Sequence, residues 1–138
     1  MVCCCKDSKH DTMKTNFSVS WKASKQPRKQ RKYRVNAPLH IRRKMLGAHL
    51  SKELRVKYKT RAISLRKGDK VKVMRGQYKN IIGEVEMINI KKFKIQVKGV
   101  EEKKKEGRVI KRWVDPSKLQ IITLNLDDKR RVEALNRK

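Results

Sequence analysis

The chain has 138 residues and a formal net charge of +27, from 40 Lys and Arg against 13 Asp and Glu. That length suits one compact domain with extensions, and that charge repels itself in any compact free state, so a polyanionic partner is expected. No apolar run approaches the roughly 18 residues of a membrane span, and no basic helix carries an opposing Trp/Phe/Leu face, so a membrane partner is not expected. No paired-carboxylate site, Ser/Asp pattern or G-x-x-x-x-G-K-[ST] loop is present, so neither an enzyme nor a small-molecule substrate or cofactor is implied.

Residues 1–24 read as a disordered leader. Its opening, MVCCCKDSKHDT, lacks the apolar stretch of a signal peptide, which points to the cytoplasm. Cys3, Cys4 and Cys5 are adjacent, so they cannot build a disulfide framework. They also lack the C-x₂-C spacing and fourth ligand of a zinc site, and no metal is expected. S-palmitoylation is chemically open to them, although Val2 excludes the N-myristoylation signal that often accompanies it.

The positive charge is then built in two ways. From Lys22 to Arg61 there are fifteen Lys and Arg and one acid, Glu53. Residues 25–61 read as a basic arm with short helices. Within it Lys25–Val35, KQPRKQRKYRV, has no periodic apolar face and is expected to be extended until a polyanion orders it. Asn36-Ala-Pro38 marks a helix start, with Ile41 and Met45, and Leu39 and Leu46, forming a short stripe that Gly47 ends. A second helix is predicted from Ser51 as N-cap to about Tyr58. Both are too short to be stable unless they dock.

From 62 to 126 seventeen bases stand against seven acids, laid over an apolar alternation of period two. Val71/Val73, Val85/Met87, Phe93/Ile95/Val97, Arg108–Val114 and Leu119–Ile122 predict five short strands, with turns near Gly76, Asn80, 89–92 and 101–107. The fold class is therefore mostly β: a small SH3-like antiparallel barrel, preceded by a basic arm and two short α-helices. Phe93 and Trp113 are expected in its core in preference to serving as stacking platforms, and side chains would fill that core with no room for a ligand. Residues 127–138 read as a short charged tail.

The stretch KGDKVKVMRGQYKNIIGEV, residues 67–85, resembles a KOW motif through Gly68, Asp69, Val71, Val73, Gly76, Lys79, Gly83 and Val85. Gly68-Asp69 makes a turn, Gly76 permits a positive φ or a close approach, and Gly83 stands where a side chain would obstruct the bend. Asn80 occupies the position where the family usually carries Gly, and Asn is the non-Gly residue best suited to the left-handed region. A KOW motif also occurs in transcription elongation factors, which bind polymerase and nascent RNA. The flanks KQPRKQRKY (25–33), NAPLHIRRK (36–44), LSKELR (50–55) and VDPSKL (114–119) are similar to the large-subunit ribosomal protein family of KOW type, numbered twenty-four in archaea and twenty-six in eukaryotes. The resemblance runs from about Ser24 to Asp128.

It implies a structural role in the large subunit: binding the 5′ region of large-subunit rRNA early in assembly, beside neighbouring ribosomal proteins. Double-stranded RNA is read by shape, phosphates and 2′-hydroxyls, which suits basic arms. The expected RNA-binding residues are Lys25, Arg28, Lys29, Arg31, Lys32 and Arg34 on the arm, Arg42, Arg43 and Lys44 on the helix, and Arg75 and Lys79 at the barrel turn. Tyr33 and His40 are open to base stacking or to a plain packed or solvent-facing role. Glu84, Glu86, Glu101, Glu102 and Glu106 are expected to mark a face turned from phosphate or towards a basic neighbour.

Overall fold

The structure, a computed structural model, describes residues 17–137. The Cys3–Cys5 run lies outside the described residues. The chain divides between Ile41 and Arg42 into two compact units, and the boundary falls within a helix.

In the first unit Val19–Ala23 form a 3₁₀ turn and Pro27–Asn36 form helix α1. The basic run is thus helical, where an extended arm was expected, and part of the leader carries structure. Pro27 sits at the start of α1, where its missing N–H costs nothing, and the Arg, Lys and Gln that follow are good helix formers. An apolar face is supplied from outside the run: Phe17 packs on Tyr33 at 5.2 Å and edge-on against Trp21 at 6.4 Å. The Gln30 amide donates to the carbonyls of Lys22 (2.8 Å) and Ser24 (2.7 Å), holding the 3₁₀ turn to the helix.

Helix α2, Leu39–Met45, follows Pro38, and helix α3, Lys52–Tyr58, is capped by Ser51, whose hydroxyl accepts from Leu54 N–H. Both agree with the capping signals. Between them lies strand β1, Gly47–Leu50, which was not expected. Its cue is the alternation Leu46, Ala48, Leu50, all buried, but one repeat of a two-residue period is hard to tell from a helix end.

The remaining strands are β2 (Ala62–Ser64), β3 (Lys70–Val73), β4 (Ile82–Asn89), β5 (Lys94–Lys103), β6 (Val109–Val114) and β7 (Leu119–Thr123). They form one seven-stranded sheet in the order β2-β1-β7-β3-β4-β5-β6. The five expected strands are β3 to β7, all antiparallel to their neighbours among themselves, whereas β1 runs parallel to β7, so the sheet is mixed. Register shifts at Val85/Met87 and Gln96/Glu101 curve it. Curvature lets one face enclose a single core, in which Leu50, Val71, Val73, Val85, Ile95, Val97, Val114, Leu119 and Ile121 meet. Each contributes about 1.5–3 kcal/mol by leaving water. Phe93 is buried as expected, in the turn before β5 with a φ of 54°. Trp113 is not in the core: it is 39% exposed.

The KOW turn behaves as its residues suggest. Gly76 has φ 99° and Asn80 φ 71°, with Asn80 N–H donating to Val73 O at 2.8 Å, so Asn fills the left-handed position. At Gly83 a Cβ would overlap the Lys98 carbonyl oxygen and lie 2.9 Å from Val97 Cγ1, because β5 passes directly over it.

Asp69 does far more than turn the chain. Its carboxylate is fully buried and accepts four hydrogen bonds: from Arg66 N–H (2.8 Å), Asn125 N–H (2.9 Å), and Arg131 Nη1 and Nη2 (2.8 Å each). Arg131 lies on helix α4, Lys129–Asn136, in the segment expected to be a tail. Its guanidinium also donates to Asn125 O (2.8 Å) and Ser64 O (3.3 Å). Leu135, one turn on, enters the core with Leu124. Asp128 caps α4 by accepting from Arg130 N–H at 2.9 Å and pairs with Arg66. Desolvation pushes the Asp128 carboxyl up. The Arg66 guanidinium and the Arg130 and Arg131 N–H groups outweigh that and hold it below its usual 3.8.

Removing either partner of the buried pair leaves an uncompensated charge, so Asp69→Ala and Arg131→Ala are each expected to cost about 3–5 kcal/mol in denaturant titrations. In a double-mutant cycle the paired substitution loses much less than the sum; additive losses would mean the pair is not coupled. Gly83→Ala is expected to cost about 1–3 kcal/mol through overpacking, read from the same titration. The lowered carboxyl of Asp128 adds stability that is complete above 3.8 and lost as pH falls through the folded value. Asp128→Asn should therefore flatten the acid limb of the stability profile.

Candidate nucleic-acid interface

Within the first unit, α1 presents its cations over most of its circumference. At 100° per residue Arg28, Lys29, Arg31, Lys32 and Arg34 surround a narrow arc left to Gln30 and Tyr33. Tyr33 is 7% exposed and packs on Phe17, so it is a support for the helix and offers no open ring. Lys32 Nζ stands 4.5 Å from the Trp21 ring centroid, a cation–π contact that fixes one cation and gives Trp21 a role. Lys25 is exposed before the helix, and His40 is exposed on α2. No acid stands in the first turn of α1, so Arg28 and Lys29 face the positive end of the helix dipole. An approaching anion relieves both.

Within the second unit, Arg43 and Lys44 are exposed in the last turn of α2 and Arg42 is half-buried there. Ser64 Oγ donates to Arg43 O (3.2 Å) and Leu65 N–H to Leu46 O (3.1 Å), tethering that helix end to the β2 segment. Arg75 and Lys79 are exposed on the β3–β4 turn, Arg75 beside Gly76 and Lys79 beside Asn80. Among the described residues Arg28, Lys29, Arg31, Arg43, Lys44, Arg75 and Lys79 make no ion pair with a carboxylate.

Four acids pair elsewhere on the surface. Glu86 pairs with Lys111, Glu102 with Arg112, Asp115 with Lys94 (2.7 Å) and Glu106, more loosely, with Arg108 (4.0 Å), all on or beside β4, β5 and β6. The hydrogen bond that Lys111 donates to the Glu86 carboxylate raises the Lys111 pKa, partly opposed by desolvation and helped by the charges of Glu86 and Glu101. Four of the six ion pairs among the described residues thus lie on or beside β4–β6, and none involves the seven cations just named on α1, α2 and the β3–β4 turn. An uncompensated Arg is a fork for bidentate phosphate contacts. Lys129 and Arg130 are exposed on α4 next to the buried Arg131, and were not singled out from the sequence. Among the described residues no three His, Cys, Asp or Glu gather as a metal site, and no helix is long and apolar enough to cross a membrane.

A curved, basic β-sheet carrying a KOW turn with Gly68, Gly76 and Asn80 in left-handed geometry defines a small KOW-type barrel protein. Residues 24–138 match the family described as ribosomal proteins L26 in eukaryotes and L24 in archaea. The chain belongs to this family of ribosomal proteins, whose members are structural and not enzymes. It is 50% identical over 113 residues to the large ribosomal subunit protein uL24 of Methanospirillum hungatei, covering 82% of this chain and 94% of that one. It is 46% identical over 114 residues to uL24 of Methanothrix thermoacetophila, covering 83% and 98%, and 46% over 115 residues to that of Korarchaeum cryptofilum, covering 83% and 88%. The family resemblance of the flanks is thereby borne out, and the KOW unit belongs to the ribosomal branch and not the elongation-factor one.

Arg75→Gln and Lys79→Gln alter exposed side chains and should leave the unfolding midpoint unchanged. Each is expected to weaken RNA binding and to lower the slope of log K against log salt by about 0.7–0.9. Filter binding across a salt series reads both; an unchanged slope means these residues do not meet phosphate.

Proposed function

We propose that this chain is a structural component of the large ribosomal subunit that binds large-subunit rRNA and helps fold its 5′ region early in assembly. Its partners are that rRNA and the neighbouring large-subunit proteins in the cytoplasmic ribosome. The observation that carries the reading is a set of exposed cations without carboxylate partners. Among the described residues Arg28, Lys29 and Arg31 on α1, Arg43 and Lys44 on α2, and Arg75 and Lys79 on the β3–β4 turn make no ion pair, while Glu86, Glu102 and Asp115 on or beside β4–β6 are paired. Lys25, Lys32 and Arg34 extend the first cluster and Arg42 the second. His40, exposed at the start of α2, is the one ring of the two expected that can meet a base. The names of the relatives agree with this role.

Helix α1 suits the space between RNA helices, where counterion release rewards every phosphate it meets. The buried Asp69–Arg131 pair ties α4 to the start of β3, the strand whose other end leads into the turn cations. Gradient fractionation of native extract with a high-salt wash should retain the protein on the large subunit. Release to the top of the gradient, or sedimentation with RNA polymerase, would overturn the reading. The triple variant Arg28→Gln, Lys29→Gln, Arg31→Gln should lower retention in the same wash without shifting the unfolding midpoint.

A further inference from the structure

Trp113 has no place in the core and no assigned role. It lines a cleft of about 280 Å³ with Arg75, Gln77, Tyr78, Arg112 and Lys118, between the β3–β4 turn, the end of β6 and the Pro116–Lys118 turn. Three properties of the cleft bear on its occupant. The two aromatic rings line one space without touching each other, and among the described residues neither the indole N–H nor the Tyr78 hydroxyl has a hydrogen-bond partner. Three cations surround it and no acid lines it; of the carboxylates beside it, Glu102 is paired with Arg112 and Asp115 with Lys94. Its volume lies below the range of about 300–1,000 Å³ usual for cofactor and drug-sized ligands.

Those properties exclude most occupants. A cationic ligand such as methyl-lysine is repelled by Arg75, Arg112 and Lys118 despite the rings. A duplex is too wide to enter. A flat, uncharged ring attached to phosphates fits on every count. We propose that the cleft takes one unpaired nucleobase of the bound RNA, stacked on Trp113 and Tyr78, with its flanking phosphates against Arg75 and Lys118. Gln77, whose amide both donates and accepts, is placed to meet the base edge. Stacking of splayed bases on aromatic rings is the general means by which proteins hold single-stranded RNA. The inference rests on the rRNA-binding reading above and assigns that reading a local contact.

The chain has two tryptophans, so a Trp21→Phe variant makes Trp113 the only fluorophore of its kind. Mixing this variant with protein-free large-subunit rRNA should quench Trp113 emission in step with complex formation. Trp113→Ala should lower affinity about 5- to 150-fold, the range of one stacked base, with the salt slope unchanged because no phosphate contact is lost. Trp113→Phe should recover most of the loss. If Trp113→Ala fails to fold, the quenching measurement still decides, since it leaves position 113 intact. A salt-dependent complex with unquenched Trp113 overturns the base cleft and leaves rRNA binding standing. Quenching seen only in the intact subunit would assign the cleft to a protein neighbour and equally overturns it. Absence of any complex overturns the rRNA reading and the cleft with it.

Discussion

One buried carboxylate organises the second unit. Asp69 accepts four hydrogen bonds, two of them from Arg131, at a site with no exposure to water. Four is about the capacity of an ionised carboxylate, so its desolvation is fully answered. Through it the segment before β3, the segment after β7 and helix α4 meet at one point. The leucines at 124 and 135 enter the core only because that meeting brings the C-terminal segment back over the sheet. In general a buried ion pair is a weak net source of stability. Its consequence here is positional: of the Lys and Arg among the described residues it takes Arg131 inside, and it fixes the sheet on which its neighbours stand.

The exposed cations account for the chemistry of the surface. Glu86 and Glu102 of the sheet, and Asp115 at its edge, are paired with cations of the same sheet. Arg28, Lys29 and Arg31 in one unit, and Arg43, Lys44, Arg75 and Lys79 in the other, have no such compensation. Each repels the cations within about a Debye length of it, near 8 Å at physiological salt. The second unit can hold that arrangement because the tight core and the Asp69 lock oppose it, and a phosphate backbone then converts repulsion into binding. The same division explains why α1 carries no acid in its first turn. A helix meant to stand alone would place one there; a helix completed by an anion does not need one.

Much of this was legible in the chain and some was not, for physical reasons. Strands β3 to β7 show in the alternation of Val71 with Val73 or Ile95 with Val97, because a half-buried strand forces a period of two. The KOW turn shows in Gly68, Gly76 and Gly83, where backbone geometry admits little else. Helix α1 was hidden because its apolar contacts come from Phe17 and Trp21, outside the run, so the run itself has no stripe. Strands β1 and β2 span four and three residues, too few to display a period. Trp113 was misplaced because a large aromatic in a strand usually packs inward. Arg131 was unreadable: it sits in a basic tail beside Lys129 and Arg130, and its partner is 62 residues away. Its i, i+4 relation to Leu135, behind the cap residue Asp128, is the only local hint. Of the expected site, the cations stand exposed or half-buried as required, while Tyr33 serves packing.

The central claim is that rRNA meets the unpaired cations, with the Trp113 cleft beside the turn, and not the paired acids of β4–β6. Ultraviolet cross-linking of native large subunits, followed by peptide mapping, tests it most directly. The account predicts RNA adducts within residues 25–44 and 75–79. Adducts confined to the β5–β6 hairpin, with none in those two stretches, would contradict it.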